Sequence, residues 1–242
     1  MTYTNSSLVS YTKLSPNHSG QRTHSIDRIT PHCVVGQCSV ETLGNVFLPK
    51  SRQASSNYGI GVDGRVGMYV EEKNRSWCSS SAANDQRAVT IECASDSKAP
   101  YAFKDVVYEK LIQLCTDICK RNGKTRLLWL GDKDKTLGYT PAPDEMVLTV
   151  HRWFANKSCP GNWLYEHHGQ IAKEVNERLE EENMVRYERL RDIKNKEFHD
   201  IIEKLMDANI LGGDGSDPTG NEDIIDLSHD MVRTLVLEYR GG

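Results

Sequence analysis

Short apolar runs alternate along the 242 residues with longer segments in which apolar positions return every three or four residues. Ile29-Thr30-Pro31-His32-Cys33-Val34-Val35 is a short apolar run and predicts an early strand. Pro31 has no N–H to give to a ladder, so that strand is expected to be an edge or irregular. Ser39 is placed to cap a short helix through Phe47, and residues 58–70 predict a hairpin turning at Asp63-Gly64. Residues 88–94 predict a buried strand with one charge, Glu92. Val107, Leu111, Leu114, Cys115 and Ile118 form the stripe of a helix over residues 104–121, stopped by Asn122-Gly123. Residues 126–130 and 146–150 are further strands, separated by a Gly/Pro-rich loop over 131–143, and residues 162–184 form a long helix.

Strands alternating with helices predict an α/β fold, a central sheet covered by helices. Residues 1–21, polar and rich in Ser, Thr and Asn, are expected to be a flexible arm ahead of a main domain over 22–184. A shift in composition near residue 184 marks a boundary. Beyond it, residues 185–242 predict a small helical hairpin: a stripe of Phe198, Ile201, Ile202 and Leu205 ending at Gly212-Gly213, a loop from Asp214 to Asp223, then a helix introduced by Asp226-Leu227-Ser228 with Met231, Leu235 and Tyr239 on one face.

Composition narrows the function classes. A net charge of −4 carries no global nucleic-acid signature, and no run approaches the ~20 apolar residues of a membrane span. Met1 to Ser10 show no basic start followed by an apolar core, so no export signal is expected. The seven cysteines are odd in number and form no C-x-x-C pair, unlike a secreted disulfide framework, so synthesis in a reducing cytoplasm is expected. Cys115 and Cys119 belong to a helical apolar stripe and are expected to be core thiols.

The informative chemistry lies in His151-Arg152-Trp153-Phe154-Ala155-Asn156-Lys157-Ser158-Cys159, which offers an imidazole, a cation and a thiol within one loop. Structural zinc sites use closely spaced pairs, whereas a catalytic zinc takes three scattered ligands and keeps one position open. The third ligand must then come from far away in the chain, and His32 on the early strand is the candidate. A general zinc peptidase would ordinarily carry a pattern such as His-Glu-x-x-His, which is absent.

With His32 on a first strand, His151 after a late one and Lys157-x-Cys159 just beyond, the chain resembles the zinc-dependent N-acetylmuramoyl-L-alanine amidases, which include phage amidase-type lysozymes and share the fold of peptidoglycan recognition proteins. The likeness extends over most of residues 22–180. Residues 57–66 resemble the family's strand-turn-strand hairpin. Ser76-Trp77-Cys78, Asn84 and Val89-Thr90-Ile91-Glu92 resemble its substrate-groove segment. The resemblance implies one Zn2+ per chain held by His32, His151 and Cys159, with Lys157 stabilising the oxyanion and Trp77 and Asn84 binding substrate. Glu92 and Tyr58 match positions used in different branches to handle the proton of the attacking water, which leaves the base open between them. Glu92 in an apolar strand is expected to have a raised pKa suited to that work. Many members carry a second histidine where this chain has Cys33, either a buried thiol or a neighbour of the zinc.

The implied activity is hydrolysis of the amide between N-acetylmuramoyl groups and L-alanine in bacterial peptidoglycan, as in a phage or prophage endolysin held in the cytoplasm until it reaches the wall. A non-catalytic peptidoglycan-binding module on the same fold is the alternative, and retention of Cys159 argues against it. The tail resembles accessory regions of some amidases, and either wall binding or self-association is open to it.

Overall fold

A computed structural model describes residues 3–183, 186–211 and 224–241. They divide into two compact units, Met1–Leu179 and Glu180–Gly242. The first is an α/β unit with β1 (Val9–Thr12), β2 (His18–Gln21), β3 (Arg28–Cys33), α1 (Val40–Phe47), β4 (Tyr58–Ile60), β5 (Val66–Met68), β6 (Asn74–Ser76), α2 (Ala82–Arg87), β7 (Ala88–Cys93), α3 (Asp105–Arg121), β8 (Arg126–Leu128), α4 (Lys133–Gly138), β9 (Glu145–Leu148) and α5 (Gly161–Asn183). Seven strands form one sheet in the order β1-β5-β4-β7-β3-β9-β8, parallel except for the β4/β5 hairpin. Strands β2 and β6 make a separate antiparallel pair.

Each helix forms where its apolar spacing and cap agree. In α1, Val40, Leu43, Gly44 and Phe47 turn to one buried side, and the Ser39 hydroxyl accepts from the Thr42 N–H, a cap worth about 1 kcal/mol. Helix α3 buries Val107, Leu111, Leu114, Cys115, Ile118 and Cys119, and α5 buries Leu164, Ile171, Val175 and Leu179. Both pack into one core with Ile29, Cys33, Tyr58, Ile91 and Cys93. These strand residues alternate with Thr30, His32, Gly59 and Glu92, which therefore face the other side of the sheet. On that second side Gly59 gives α1 room: a Cβ there would meet Leu43 Cδ1 at 2.8 Å.

Strand β8 is a sheet edge, and α5 closes it. The Asn176 amide accepts from the Leu127 N–H at 2.7 Å and donates to the Leu127 carbonyl at 3.0 Å.

Several expectations need correction. Residues 9–12 and 18–21 of the supposed arm are strands, β1 pairing with β5 and β2 with β6, because polar residues suffice at edges where the backbone supplies the bonds. Strand β3 is central, not an edge. It pairs with β7 along its whole length, whereas its ladder with β9 ends after the Thr149 N–H bond to the Ile29 carbonyl, where the next rung would need an N–H from Pro31. The 131–143 loop contains α4, capped by Asp132, whose side chain accepts from the Lys135 N–H.

The second unit contains β10 (Arg186–Arg189), α6 (Lys196–Asp207), β11 (Ile224–Ser228) and α7 (His229–Gly241). The helical hairpin was thus incomplete, since β10 and β11 form an antiparallel ribbon too short for its alternation to register in the sequence. Ile201, Ile202 and Leu205 of the α6 stripe are buried as expected. On α7 the buried residues are Val232 and Val236, while Met231 is 52% and Tyr239 47% exposed, so the predicted face was one residue out of phase. Gly212-Gly213 and the loop Asp214 to Asp223 lie outside the described residues.

Candidate metal centre

Three neighbouring strands deliver the site, because their C-terminal ends lie side by side in the order β7-β3-β9. His32 stands at the end of β3, and Glu92 is its partner in register on β7. His151 follows β9 in a short turn of 3-10 helix, and Cys159 returns on the loop behind it. Crevices outside the carboxyl ends of parallel strands are where open α/β sheets place ligands.

The donor atoms of His32, His151 and Cys159 all lie within 4.8 Å of one another. Cys159 Sγ is 3.3 Å from His32 Nδ1, and the two imidazole centroids are 5.0 Å apart. Glu92 Oε1 stands 4.0 Å from the same Nδ1, with its side chain 19% exposed. Burial, reinforced by His151 and His168, holds the His32 pKa well below the ordinary value, and burial with nearby Lys157 lowers that of His151. Both shifts favour the neutral imidazole, the form that binds a metal. The hydrogen bond with Cys33, with burial and Glu92, pushes the Cys159 thiol up, so its proton would have to be displaced by a cation. His32 Nε2 is buried without a hydrogen-bond partner. Two neutral imidazoles and a thiol in reach of one point fit a zinc ion and no harder cation. Burial pushes Glu92 up to about 7, against the hydrogen bond from Cys78 and the charge of Arg52.

Around this cluster lies a cleft of about 390 Å³, with Arg52, Trp77, Glu92, His151 and Lys157 in its walls. Of the residues singled out in the sequence, His32, His151, Cys159, Glu92, Lys157 and Trp77 come together here. Tyr58 and Asn84 do not. Tyr58 pairs with Ile91, and so points to the opposite side of the sheet from Glu92. There its hydroxyl donates to Glu72 Oε1 at 2.7 Å and accepts from the Ser6 N–H, in a network that Arg121 completes with Glu72. Fully buried Asn84 donates to the Thr30 hydroxyl and accepts from that of Thr149.

Ser80 and Asp85 carried no signal of their own in the chain, and Cys78 stood out only as part of a segment resembling the substrate groove. The Ser80 hydroxyl lies 2.9 Å from His151 Nε2. It reaches there because Ser80 takes a positive φ of 62° and because the Asp85 carboxylate accepts from the Cys78 and Ser79 N–H groups. Cys78 Sγ donates to Glu92 Oε1 at 3.7 Å. Each role depends on a turn whose shape is set by tertiary contacts.

The family profile of the N-acetylmuramoyl-L-alanine amidases matches residues 15–162, more than half of the chain and all of this site. The chain belongs to that family. The amidase is an enzyme of peptidoglycan amide hydrolysis. Among solved structures it is similar to the endolysin N-acetylmuramoyl-L-alanine amidase LysCS from Clostridium intestinale, at 16% identity and a TM-score of 0.45 over 69% of this chain and 97% of that one. It is also similar to AmpD, at 15% identity and a TM-score of 0.48 over 72% and 99% of the two chains. The endolysin from Thermus scotoductus bacteriophage Ph2119 is a third such structure, with 16% identity and a TM-score of 0.42 over 66% and 90%. No match to a curated protein is found. Among the described residues, no helix of the amidase is long and apolar enough to cross a membrane.

Proposed function

We propose that the amidase cleaves the bond between the N-acetylmuramoyl lactyl group and L-alanine with one zinc ion held by His32, His151 and Cys159, and that it acts on the bacterial wall as an endolysin. The observation that carries this is the convergence of those three donors, with Glu92 4.0 Å from His32 Nδ1, beside a cleft that Glu92 and His151 line. Zinc at such a donor set supplies Lewis acidity toward an amide carbonyl and activates water. The rest falls to the chain. Glu92, with a pKa near neutrality, takes a proton at a carboxylate oxygen and returns it to the leaving amine, while Cys78 fixes the orientation of that carboxylate. Ser80 holds the His151 ring at Nε2. Lys157, exposed and lining the same cleft, supplies the charge that stabilises the carbonyl oxygen as it becomes negative, and Trp77 gives an apolar wall to the sugar or peptide. The complete donor set favours this reading over a non-catalytic binding module.

Digestion of purified peptidoglycan should release new L-alanine amino termini without new reducing sugar, and reducing ends would point to a glycosidase instead. In the same assay Lys157→Ala should lower kcat about 10²- to 10³-fold with zinc retained, the usual cost of an oxyanion donor. Unchanged turnover would leave Lys157 a surface charge.

The second unit is proposed as an accessory that binds the wall or mediates self-association. A chain ending at residue 183 should keep its turnover of a soluble muropeptide. It should then either lose affinity for intact wall or sediment as a smaller species. A truncated chain that does not fold would show that the first unit depends on the second.

A further inference from the structure

The polar side of the sheet carries a second cleft, of about 630 Å³, beside the catalytic one. Ser81 and Ala82 at the start of α2 border both clefts. Leu137, Phe154 and the alanines of α2 give the second cleft an apolar lining, and no carboxylate is among its wall residues. It does hold two arginines. Arg87 is neutralised by Asp27, with bonds of 2.8 and 2.5 Å to the carboxylate. Arg28 is not. Only 6% exposed, it donates from Nη1 to Asn84 Oδ1 at 3.2 Å, and among the described residues no carboxylate lies within ion-pair distance of it. A guanidinium keeps its proton, so this is a desolvated cation with unused donors at the wall of a cavity.

Its position relative to the chemistry is set by the strand. Arg28, Thr30 and His32 alternate onto the same side of β3, and four residues at roughly 3.3 Å each separate Arg28 from His32 by about 13 Å. An extended peptide covers about 3.3–3.6 Å per residue. Buried Thr30 and Asn84 fill the direct line, so a chain leaving the scissile amide passes over Ser81 and Ala82 and needs roughly four residues or more to reach Arg28. Resting on the amidase reading above, we propose that the second cleft is a carboxylate subsite for the peptide side of the substrate, with Arg28 as the receptor. Asn84 is then a positioning residue. Its amide, tied to Thr30, Ser79 and Thr149, holds the guanidinium against the sheet.

The test uses the zinc-loaded full chain and two soluble N-acetylmuramoyl tetrapeptides identical except for a C-terminal carboxylate or carboxamide. The carboxylate form should be preferred about tenfold or more in kcat/KM, chiefly through KM, as expected for a hydrogen-bonded charge. Arg28→Gln should erase the preference. Should that buried replacement fail to fold, Gln86→Glu serves instead. Gln86 lines the cleft and accepts from the Thr23 N–H, which a glutamate still accepts, and the added carboxylate would occupy Arg28 and repel the ligand. Calorimetry of the free tetrapeptide with metal-free protein should show the same preference for the carboxylate and the same loss in the variants. Equal cleavage and equal binding of both forms would overturn the subsite and leave the amidase assignment standing. Cleavage of neither, with binding preference intact, would overturn the amidase reading alone. Inhibition by free N-acetyl-D-alanine with no preference between the tetrapeptides would mark a site for free carboxylates and overturn the peptide assignment.

Discussion

Cys159→Ser should empty the metal centre and abolish wall lysis. A serine hydroxyl is a far poorer zinc ligand than a thiolate, and two imidazoles alone leave the ion without the third donor that lies 3.3 Å from His32 Nδ1. The wild-type chain should carry about one zinc and the variant almost none, because a catalytic site takes three protein ligands. Thermal unfolding gives an independent reading. A chelator should lower the wild-type Tm, since metal bound only to the folded state stabilises it, and should leave the Tm of the variant where it is. If Cys159→Ser keeps its zinc and its activity, the third donor is misassigned. Cys33, whose thiol lies against that of Cys159, is the next to replace.

Glu92→Gln isolates the proton carrier from the metal. The amide has nearly the shape of the carboxylate and keeps a partner for Cys78, but it accepts no proton, so kcat should fall about 10²- to 10⁴-fold while zinc content and KM change little. Activity within about threefold of wild type would remove Glu92 from the proton pathway. Tyr58 is no substitute, because its hydroxyl is committed to Glu72 on the far side of the sheet.

Much of this was legible in the chain, for reasons that can be named. That His32, His151 and Cys159 come together was readable because metal ligation demands particular atoms, and their sequence spacing suggested one kind of site. The helices α1, α3 and α5 were readable because each buries a regular stripe. Tyr58 shows where such reasoning stops. Whether it or Glu92 faces the His32 cluster depends on strand parity, since a shift of one residue sends a side chain to the other side, and parity is fixed by pairing of Tyr58 with Ile91 across strands more than thirty residues apart. The unexpected strands β1, β2, β10 and β11 are short and partly polar, held by ladders that leave little trace in apolar periodicity. Ser80 and the contact of Cys78 with Glu92 were not legible because both depend on a turn pinned by Asp85.

The Asn176 clamp on β8 has a bearing beyond this one molecule. A bare edge strand offers its peptide groups to any passing extended chain, and a wall hydrolase works among peptides. By occupying both the N–H and the carbonyl of Leu127, the central residue of a three-residue strand, Asn176 leaves too little open backbone for a stray peptide or a second copy to add itself to the sheet. The Asn176 clamp thus guards the amidase against recruiting peptides at its margin.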